Sequence, residues 1–178
     1  MKNCKEFVFS EKKVTVYFDS LFFDLEKIIK KGDAVLLIDE NVYSIYSTFF
    51  IGWKTIVINS GENFKQQSTI DEVISSLIKI GADKTTSLIG IGGGVVTDIV
   101  GYVGSIYMRG VNTGFVPTTL LGMVDACIGG KNGIDVGIYK NMIGTIRQPA
   151  FILYDYGFLD SLPEIEWSNG FAEIIKHA

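Results

Sequence analysis

The stretch Ile89-Gly-Ile-Gly-Gly-Gly-Val-Val-Thr-Asp98 predicts a buried strand that passes through a turn of glycines into a helix. Glycine permits a tight turn and lets a ligand approach the backbone, and the first N–H groups of the helix are free to bind an anion. The sequence therefore favours a phosphate-binding turn, with a tight turn that only serves close helix packing as the alternative. Because no Gly-Lys-Ser/Thr follows, it is not a nucleoside-triphosphate loop.

Outward from this turn, strand and helix patterns alternate along the chain. Strands are predicted at 14–18, 34–38, 55–58, 87–91, 113–116 and 151–154, and helices at 21–30 and 66–80. In the second helix one face carries the apolar residues Ile70, Val73, Ile74, Leu77 and Ile78. Most strands are continuously apolar, as is typical of strands buried on both faces. The sequence therefore predicts an α/β fold with a parallel sheet covered by helices.

The composition excludes several classes of protein. The 178 residues carry a net charge of −4, which argues against a broad contact with nucleic acid or anionic lipid. Cys4 and Cys127 lie far apart in the sequence, which fits a reduced compartment. The N-terminus lacks the apolar block of a signal peptide, so we expect a soluble cytoplasmic protein. Residues 87–108 are almost uncharged, but their glycines and Asp98 favour a buried strand and helix over a membrane span.

The C-terminal residues predict the start of a further helix. Ser168 or Asn169 is a suitable cap, and residues 171–176 give the helix an apolar face. The sequence stops at Ala178 after about two turns, which is marginal for a helix that does not pack. We therefore expect the N-terminal part of a longer protein, with a docked terminal helix as the alternative.

Several polar residues follow the predicted strands and are candidates for binding. Asp39 ends a strand, where a carboxylate can bind ribose and disfavour a 2′-phosphate, or simply serve the turn Asp39-Glu40-Asn41. Thr118 and Thr119 follow another strand, where hydroxyls can cap a helix or contact a cofactor.

Two further groups of charged residues lie near the end of the chain. Asp125, Lys131, Lys140 and Asn141 surround a glycine-rich stretch that suits an anionic small molecule or a solvated loop. Glu173 shares a helix face with Lys176 as a surface ion pair or as a metal ligand. One carboxylate and the single histidine of the chain do not complete a zinc site, so any further ligands are expected beyond Ala178.

Together these motifs resemble the 3-dehydroquinate synthase family over residues 34–178. The matching segments are Asp39-Glu-Asn-Val42, Gly61-Glu62 with Lys65, Gly92-Gly-Gly-Val-Val-Thr-Asp98, Arg109-Gly110, Pro117-Thr-Thr-Leu-Leu121, Val124-Asp125, Ile128-Gly-Gly-Lys131, Lys140-Asn141, Phe158-Leu159, Leu162-Pro163 and Gly170-Phe-Ala-Glu-Ile-Ile-Lys176. The resemblance implies a Rossmann-like NAD-binding domain at residues 1–160 and the start of a C-terminal helical domain at 161–178.

The resemblance also implies the cofactor and the reaction. NAD would bind Asp39, Asn41, Gly61, Glu62, Lys65, Gly93, Gly94, Val95, Val96, Thr97, Asp98, Thr118, Thr119, Lys131, Lys140, Phe158, Leu159, Asp160 and Ser161. The reaction would convert 3-deoxy-D-arabino-heptulosonate 7-phosphate to 3-dehydroquinate and phosphate, in the shikimate pathway of aromatic amino acid biosynthesis.

The substrate and metal residues are implied in the same way. Asp125, Lys131, Asn141 and Lys176 would face the substrate. Arg109 would reach the substrate phosphate across the interface of a homodimer. Glu173 would be the first of three ligands to Zn²⁺ or Co²⁺, the others being histidines of the helical domain.

Departures within the motifs leave room for a related activity. Met123, Cys127, Asp135 and Tyr139 replace the glutamine, serine, asparagine and glycine that are common in the family. They are compatible with a sister sugar phosphate cyclase, although Ile128-Gly-Gly-Lys131 favours the synthase. The same glycine turn and Pro-Thr-Thr segment also suit a metal-dependent glycerol or polyol dehydrogenase, and a non-catalytic nucleotide-binding module is the third hypothesis.

Overall fold

Parallel strands form the centre of the molecule in a computed structural model that describes residues 3–9 and 12–178. Within these residues seven strands form one sheet in the order β1-β2-β9-β6-β5-β3-β4, with β7 and β8 forming a separate hairpin. The strands are β1 (Cys4–Phe9), β2 (Lys12–Tyr17), β3 (Ala34–Asp39), β4 (Lys54–Ile58), β5 (Ser87–Gly92), β6 (Thr113–Pro117), β7 (Lys131–Val136), β8 (Tyr139–Ile146) and β9 (Phe151–Leu153). The β1–β2 pair is antiparallel, whereas the other neighbours in the large sheet are parallel.

Helices cover both faces of this sheet. They are α1 (Leu25–Ile28), α2 (Glu40–Tyr46), α3 (Gln67–Ile80), α4 (Gly94–Ile106) and α5 (Glu164–His177). Along β3, Val35 and Leu37 belong to one buried cluster, whereas Leu36 and Ile38 belong to the cluster on the other face. Successive side chains of a strand point to opposite faces, so a strand between two helical layers must be apolar throughout. The predicted α/β fold is confirmed.

The long helix predicted at 66–80 is α3, which begins at Gln67. Gly81 ends it in the left-handed conformation, with a φ of 75° that glycine adopts without strain. Ile70, Val73 and Leu77 are buried as predicted. Ile78 belongs to the same apolar face but is 65% exposed, so the buried part of this face is narrower than the apolar pattern.

Two helix boundaries differ from the predictions. The segment predicted as one helix at 21–30 contains a 3-10 turn at Phe22–Asp24 and a single α-turn, α1. The last helix begins at Glu164 after Pro163, so neither Ser168 nor Asn169 caps it. Instead, Ser168 Oγ donates a hydrogen bond to the Glu164 carbonyl (3.2 Å) inside the helix. Proline with a φ of −59° leads into a helix readily, and the acidic first turn suits the positive end of the helix dipole.

The β7–β8 hairpin lies where the sequence predicted a polar, glycine-rich segment. Gly101 on α4 leaves space for the side chain of Asn132, which brings the hairpin against this helix. Asn132 is buried, and its amide donates hydrogen bonds to the carbonyls of Gly130 (2.8 Å) and Arg147 (3.0 Å). The hairpin is therefore anchored at its base.

Two structural observations bear on the predictions about a membrane span and about the cysteines. In the described part of the chain, no helix is both long and apolar enough to span a bilayer. Cys4 and Cys127 both carry free thiols, the first exposed and the second buried. Met1 and Lys2, which begin the segment without a signal-peptide pattern, lie outside the described residues.

Candidate functional site

The candidate site lies at the carboxyl ends of β3 and β5. From β3 the chain adds β4 on one side, and it then returns to place β5 and β6 on the other side. Ligands of open α/β sheets bind at such a topological switch point. Asp39 ends β3 and Gly92 ends β5, and a Cβ placed on Gly92 would lie 3.2 Å from the Cβ of Asp39. The two strand ends therefore lie side by side, at the position where a sheet of this kind leaves a crevice for a ligand.

The glycine turn is held in place by close packing. A Cβ on Gly92 would also lie 2.5 Å from Val96 Cγ2, which excludes a side chain there. A Cβ on Gly93 would contact Thr119 Cγ2 at 3.0 Å, and one on Gly94 would contact Ala126 Cβ at 3.2 Å. The interpretation of this segment as a turn that serves close helix packing is therefore correct, and it does not conflict with ligand binding.

The start of α4 is open to an anion. Among the described residues no side chain caps this helix, and its first intrahelical bond runs from Thr97 N to the Gly93 carbonyl (3.1 Å). The N–H groups of Gly94, Val95 and Val96 precede that bond and lie at the positive end of the helix dipole. Val96 and Thr97 are buried, so only their backbone can face a ligand.

Asp39 acts as a helix cap in this structure. Its Oδ1 atom accepts hydrogen bonds from Asn41 N (2.9 Å), Val42 N (3.4 Å) and Ser60 Oγ (2.7 Å). The Oδ1 atom therefore serves the turn, as one of the two interpretations of Asp39 predicted. Its Oδ2 atom accepts no hydrogen bond from the residues that the structure describes and remains able to accept one from a ligand.

A buried ion pair connects the glycine helix to the hairpin. Lys65 Nζ forms a salt bridge with Asp98 and donates a hydrogen bond to Asn141 Oδ1 (2.6 Å). Burial raises the pKa of Asp98 to about 6, although Lys65 acts in the opposite direction. Asp135 donates its N–H to the Lys65 carbonyl (2.7 Å) and accepts the N–H of Asn141 on its carboxylate (2.7 Å). Cofactor candidates and a substrate candidate therefore belong to one network.

The other cofactor candidates surround the crevice to different extents. Thr118 donates its N–H to the Gly92 carbonyl (3.0 Å), and Thr119 accepts the N–H of Gly122 (3.0 Å). Glu62 pairs weakly with Lys140 at 3.5 Å, and both side chains are exposed.

The segment from Phe158 to Ser161 forms a 3-10 turn beyond β9. Phe158 is buried, with its ring 4.9 Å from that of Tyr46, so its side chain serves the core. Leu159 is half-buried, whereas Asp160 and Ser161 are exposed. Ser161 Oγ lies 3.0 Å from the Tyr46 hydroxyl, which ties this turn to α2.

A polar pocket of about 560 Å³ lies between α4 and the hairpin, next to the ion pair. Its lining includes Asp98, Asp125, Lys131 and Asn141, so it brings together three of the predicted substrate residues. The carbonyl oxygen of the Asn141 side chain is bound to Lys65, which leaves the amide nitrogen as the group available to a ligand. The pocket thus presents a lysine and an amide donor.

A cluster with suitable metal ligands lies beside this pocket. Ligand atoms of Asp125, Glu173 and His177 all lie within 4.8 Å of one another. Glu173 Oε1 is 2.7 Å from Lys176 Nζ and 3.0 Å from His177 Nε2. The hydrogen bond from Lys176 lowers the pKa of Glu173 and raises that of Lys176. The sequence places Glu173 and His177 four residues apart on one helix, but no motif placed Asp125 beside them.

Arg109 is the predicted site residue that the structure places elsewhere. It lies in the 3-10 turn Tyr107–Arg109 that follows α4, at the end of the sheet where the interior strand β6 begins. The 13 residues of α4 separate it from the glycine turn by about 20 Å. Arg109 therefore lies at the opposite end of α4 from the glycine turn.

Comparisons with known proteins point to one family. A family model described as 3-dehydroquinate synthase N-terminal matches residues 55–169. The chain is 38% identical over 177 residues to 3-dehydroquinate synthase of Leptospira interrogans serovar copenhageni, covering 94% of this chain and 49% of that protein. The chain thus spans about half the length of this curated relative.

Solved structures show similarity over the same length. The 2-epi-5-epi-valiolone synthase from Streptomyces hygroscopicus, with NAD+ and Zn²⁺ bound, is 31% identical with a TM-score of 0.82, covering 96% of this chain and 50% of that one. A 2-deoxy-scyllo-inosose synthase complexed with carbaglucose-6-phosphate, NAD+ and Co²⁺ shares the fold, with a TM-score of 0.85 at 22% identity. It covers 98% of this chain and 51% of that one.

Proposed function

The chain belongs to the 3-dehydroquinate synthase family, and on this basis we propose that it forms the NAD-binding part of a cytoplasmic cyclase. The enzyme would convert 3-deoxy-D-arabino-heptulosonate 7-phosphate to 3-dehydroquinate and phosphate. The observation that carries the proposal is the polar pocket beside the uncapped glycine helix, with Lys131 and Asn141 in its lining. The free thiols of Cys4 and Cys127 suit a reduced compartment.

The crevice fits the parts of a dinucleotide. Its diphosphate would accept hydrogen bonds from the first N–H groups of α4, at Gly94 and Val95. The Oδ2 atom of Asp39 would accept hydrogen bonds from a ribose, and its charge would repel a 2′-phosphate. We therefore propose NAD rather than NADP, and the NAD+ bound to the similar valiolone synthase supports this.

The remaining cofactor contacts are proposed around this crevice. Asn41, Gly61, Glu62 and Lys65 would hold the nucleoside. Thr118, Thr119, Lys131, Lys140 and the turn at 158–161 would complete the cofactor site, with Phe158 acting through its backbone because its ring is buried.

The polar pocket fits an anionic sugar derivative. Its volume of about 560 Å³ lies within the usual range of small-molecule sites. Lys131 and Lys176 would offset negative charge on the substrate, and Asn141 would donate from its amide nitrogen. Asp125 would accept a hydrogen bond from a substrate hydroxyl. A phosphorylated sugar acid is the class of ligand that these groups suit.

The cluster around Glu173 fits a divalent metal. Carboxylate and imidazole groups are suitable ligands for Zn²⁺ and Co²⁺. We propose Glu173 as a ligand, and Asp125 and His177 are the nearest further donors among the described residues. A bound metal would polarise a substrate hydroxyl and lower its pKa, and NAD would accept hydride from the carbon that bears this hydroxyl. Lys176 pairs with Oε1 of Glu173, so a metal held by Glu173 would compete with this ion pair.

The position of Arg109 supports a homodimer. Arg109 is exposed and lies about 20 Å from its own glycine turn, where it can contact a substrate held by a second copy. We therefore propose that Arg109 binds the phosphate of a substrate held by the partner. We also propose the division into domains at residues 1–160 and 161–178, where α5 opens the helical domain.

The test measures phosphate release and NADH absorbance in the intact enzyme. The cyclase reoxidises its cofactor in each turnover, so phosphate should be released from the sugar phosphate without net formation of NADH. Net NADH formed from glycerol or another polyol would instead identify a dehydrogenase, and binding of NAD with neither activity would identify a binding module. The 178-residue chain alone should bind NAD weakly and release no phosphate. Cyclisation by this chain alone would contradict the proposed division of the site.

A further inference from the structure

The turn that carries Arg109 has an uncommon backbone conformation. Three consecutive residues, Met108, Arg109 and Gly110, have φ angles of 46°, 61° and 109°. Glycine adopts such angles readily, but a residue with a Cβ is disfavoured there because the Cβ crowds the backbone. Two adjacent non-glycine residues keep this conformation only when their surroundings hold it.

Lys84 holds the turn from outside. Its ammonium group donates a hydrogen bond to the Met108 carbonyl (2.9 Å) and another to the Gly110 carbonyl. These two carbonyls flank Arg109 in the chain, so the lysine spans the residue. Within residues 3–9 and 12–178, Lys84 forms no salt bridge with a carboxylate, and its charge serves the two carbonyls.

The loop that presents Lys84 is itself fixed. Asp83 Oδ1 accepts the N–H of Thr85 (2.8 Å), which closes the turn around the lysine. The Tyr107 hydroxyl donates a hydrogen bond to the Ala82 carbonyl (2.7 Å) in a buried position. This bond joins the end of α4 to the residues just before Lys84. The loop that carries Lys84 is therefore bound to the turn through Lys84 itself and through Tyr107.

The other side of the turn contacts Arg147. Its guanidinium donates a hydrogen bond from Nη1 to the Gly104 carbonyl (2.6 Å), and a Cβ on Gly110 would lie 2.6 Å from the same atom. Val111 donates its N–H to the Gly104 carbonyl (2.8 Å). Arg109 itself is exposed and pairs with no carboxylate in the part of the chain that the structure describes. Its backbone is thus fixed while its charge remains available.

We propose that Lys84 is a positioning residue, which holds Arg109 in the conformation that directs its guanidinium to a phosphorylated substrate in a second copy of the chain. This inference rests on the proposed function. Without the ammonium group the two non-glycine residues relax toward negative φ, which turns the Cα–Cβ bond of Arg109 away. Lys84 does not touch the substrate, so its loss weakens the phosphate contact and leaves the chemical groups of the site unchanged.

The experiment compares variants of the intact enzyme by steady-state kinetics. Lys84→Met removes the donors and keeps the length of the side chain, Lys84→Arg keeps the donors, and Lys79→Met removes a nearby charge as a matched control. We expect Lys84→Met to raise the KM for the sugar phosphate about tenfold, with kcat changed less than about twofold. Lys84→Arg should retain the wild-type KM, and Lys79→Met should leave both constants unchanged. If Lys84→Met does not fold, Lys84→Gln replaces it.

Arg109→Ala separates the inference from its premise. If Arg109→Ala raises the KM and Lys84→Met does not, the inference is overturned while the role of Arg109 stands. If Arg109→Ala leaves the KM unchanged, the phosphate role fails and the inference fails with it. In the double variant the effects should not add, because both changes remove one contact. Additive effects would overturn the positioning role. Trypsin should also cleave after Arg109 faster in Lys84→Met than in the wild type, because the turn is relaxed. An unchanged cleavage rate would overturn the positioning role as well.

Discussion

Replacement of Lys65 by methionine removes the ammonium group beside Asp98 and keeps most of the side-chain volume. The two side chains are 6% and 17% exposed, so the carboxylate would remain in a site that water reaches poorly. Removal of one partner from a buried pair costs about 3–5 kcal/mol when the other keeps its charge. Asp98 can reduce that cost by binding a proton, because burial already raises its pKa to about 6.

The cost of Lys65→Met therefore depends on pH. The folded-state pKa of Asp98 lies above its ordinary value of 3.8, so the folded protein binds more protons than the unfolded chain between these values. The contribution of Asp98 to the free energy of unfolding consequently falls as the pH rises through this window. Lys65 lowers the pKa of Asp98, so this pKa rises further when Lys65 is removed. The free energy of unfolding then continues to fall up to a higher pH, by about 1.4 kcal/mol for each pH unit.

We expect Lys65→Met to lower the free energy of unfolding by about 3 kcal/mol at pH 8. At pH 5, where Asp98 is largely protonated with or without the lysine, the loss should be about 1 kcal/mol, from the hydrogen bond to Asn141 and from packing. Urea unfolding followed by circular dichroism measures both values.

Two controls accompany this measurement. In an Asp98→Asn background, Lys65→Met should cost the same at both pH values, because no carboxylate remains to titrate. Lys140→Met breaks the exposed pair with Glu62 and should cost less than about 1 kcal/mol. Equal destabilisation by Lys65→Met at pH 5 and pH 8 would refute the reasoning, since it would mean that the charge of Asp98 does not govern the cost.

Three further substitutions have expected outcomes. Gly92→Ala should destabilise the chain by about 1–3 kcal/mol in urea unfolding and weaken NAD binding in calorimetry, because the new Cβ has no space, whereas Gly32→Ala, which has open space, should be close to neutral. Asp135→Asn should lower the pKa of Asp98 in an NMR titration, because the charge of Asp135 raises it, and an unchanged pKa would contradict this coupling. Tyr154→Phe should lower the free energy of unfolding by about 1–2 kcal/mol, because a main-chain carbonyl in the core loses its hydrogen bond, and no measurable loss would show that water replaces the hydroxyl.

The sheet and the glycine turn were predictable because local sequence determines them. A strand such as β3 must be apolar on both faces wherever it lies between two helical layers, and that pattern is visible without the fold. The amphipathic face and glycine stop of α3 are equally local signals. Ile78 shows the limit of this approach, because helical periodicity gives the direction of a side chain but not the width of the neighbouring surface.

The hairpin and the metal cluster depend on tertiary contacts. The hairpin contains Gly133 and Gly144, and almost all side chains of β8 are exposed, so no continuous apolar run marks it as a pair of strands. Its position depends on the space that Gly101 provides on α4. The spacing of Glu173 and His177 at i and i+4 was a local signal for a shared helix face. Asp125 lies in a π-helical turn at Gly122–Ala126, and it joins them only because α5 packs on that turn.

The two halves of the site differ in what holds them in place. The glycine turn is fixed by contacts that leave no space for side chains at Gly92, so the cofactor half is formed by the fold itself. Asn141 lies on the exposed strand β8 and has a φ of 55°. Hydrogen bonds with Lys65 and Asp135 hold it in this conformation. Lys65 also pairs with Asp98 on the glycine helix, so a change of charge at the cofactor half reaches Asn141 through a single side chain. Packing thus shapes the proposed dinucleotide site, whereas the titratable network holds the amide of Asn141 that we propose to face the substrate.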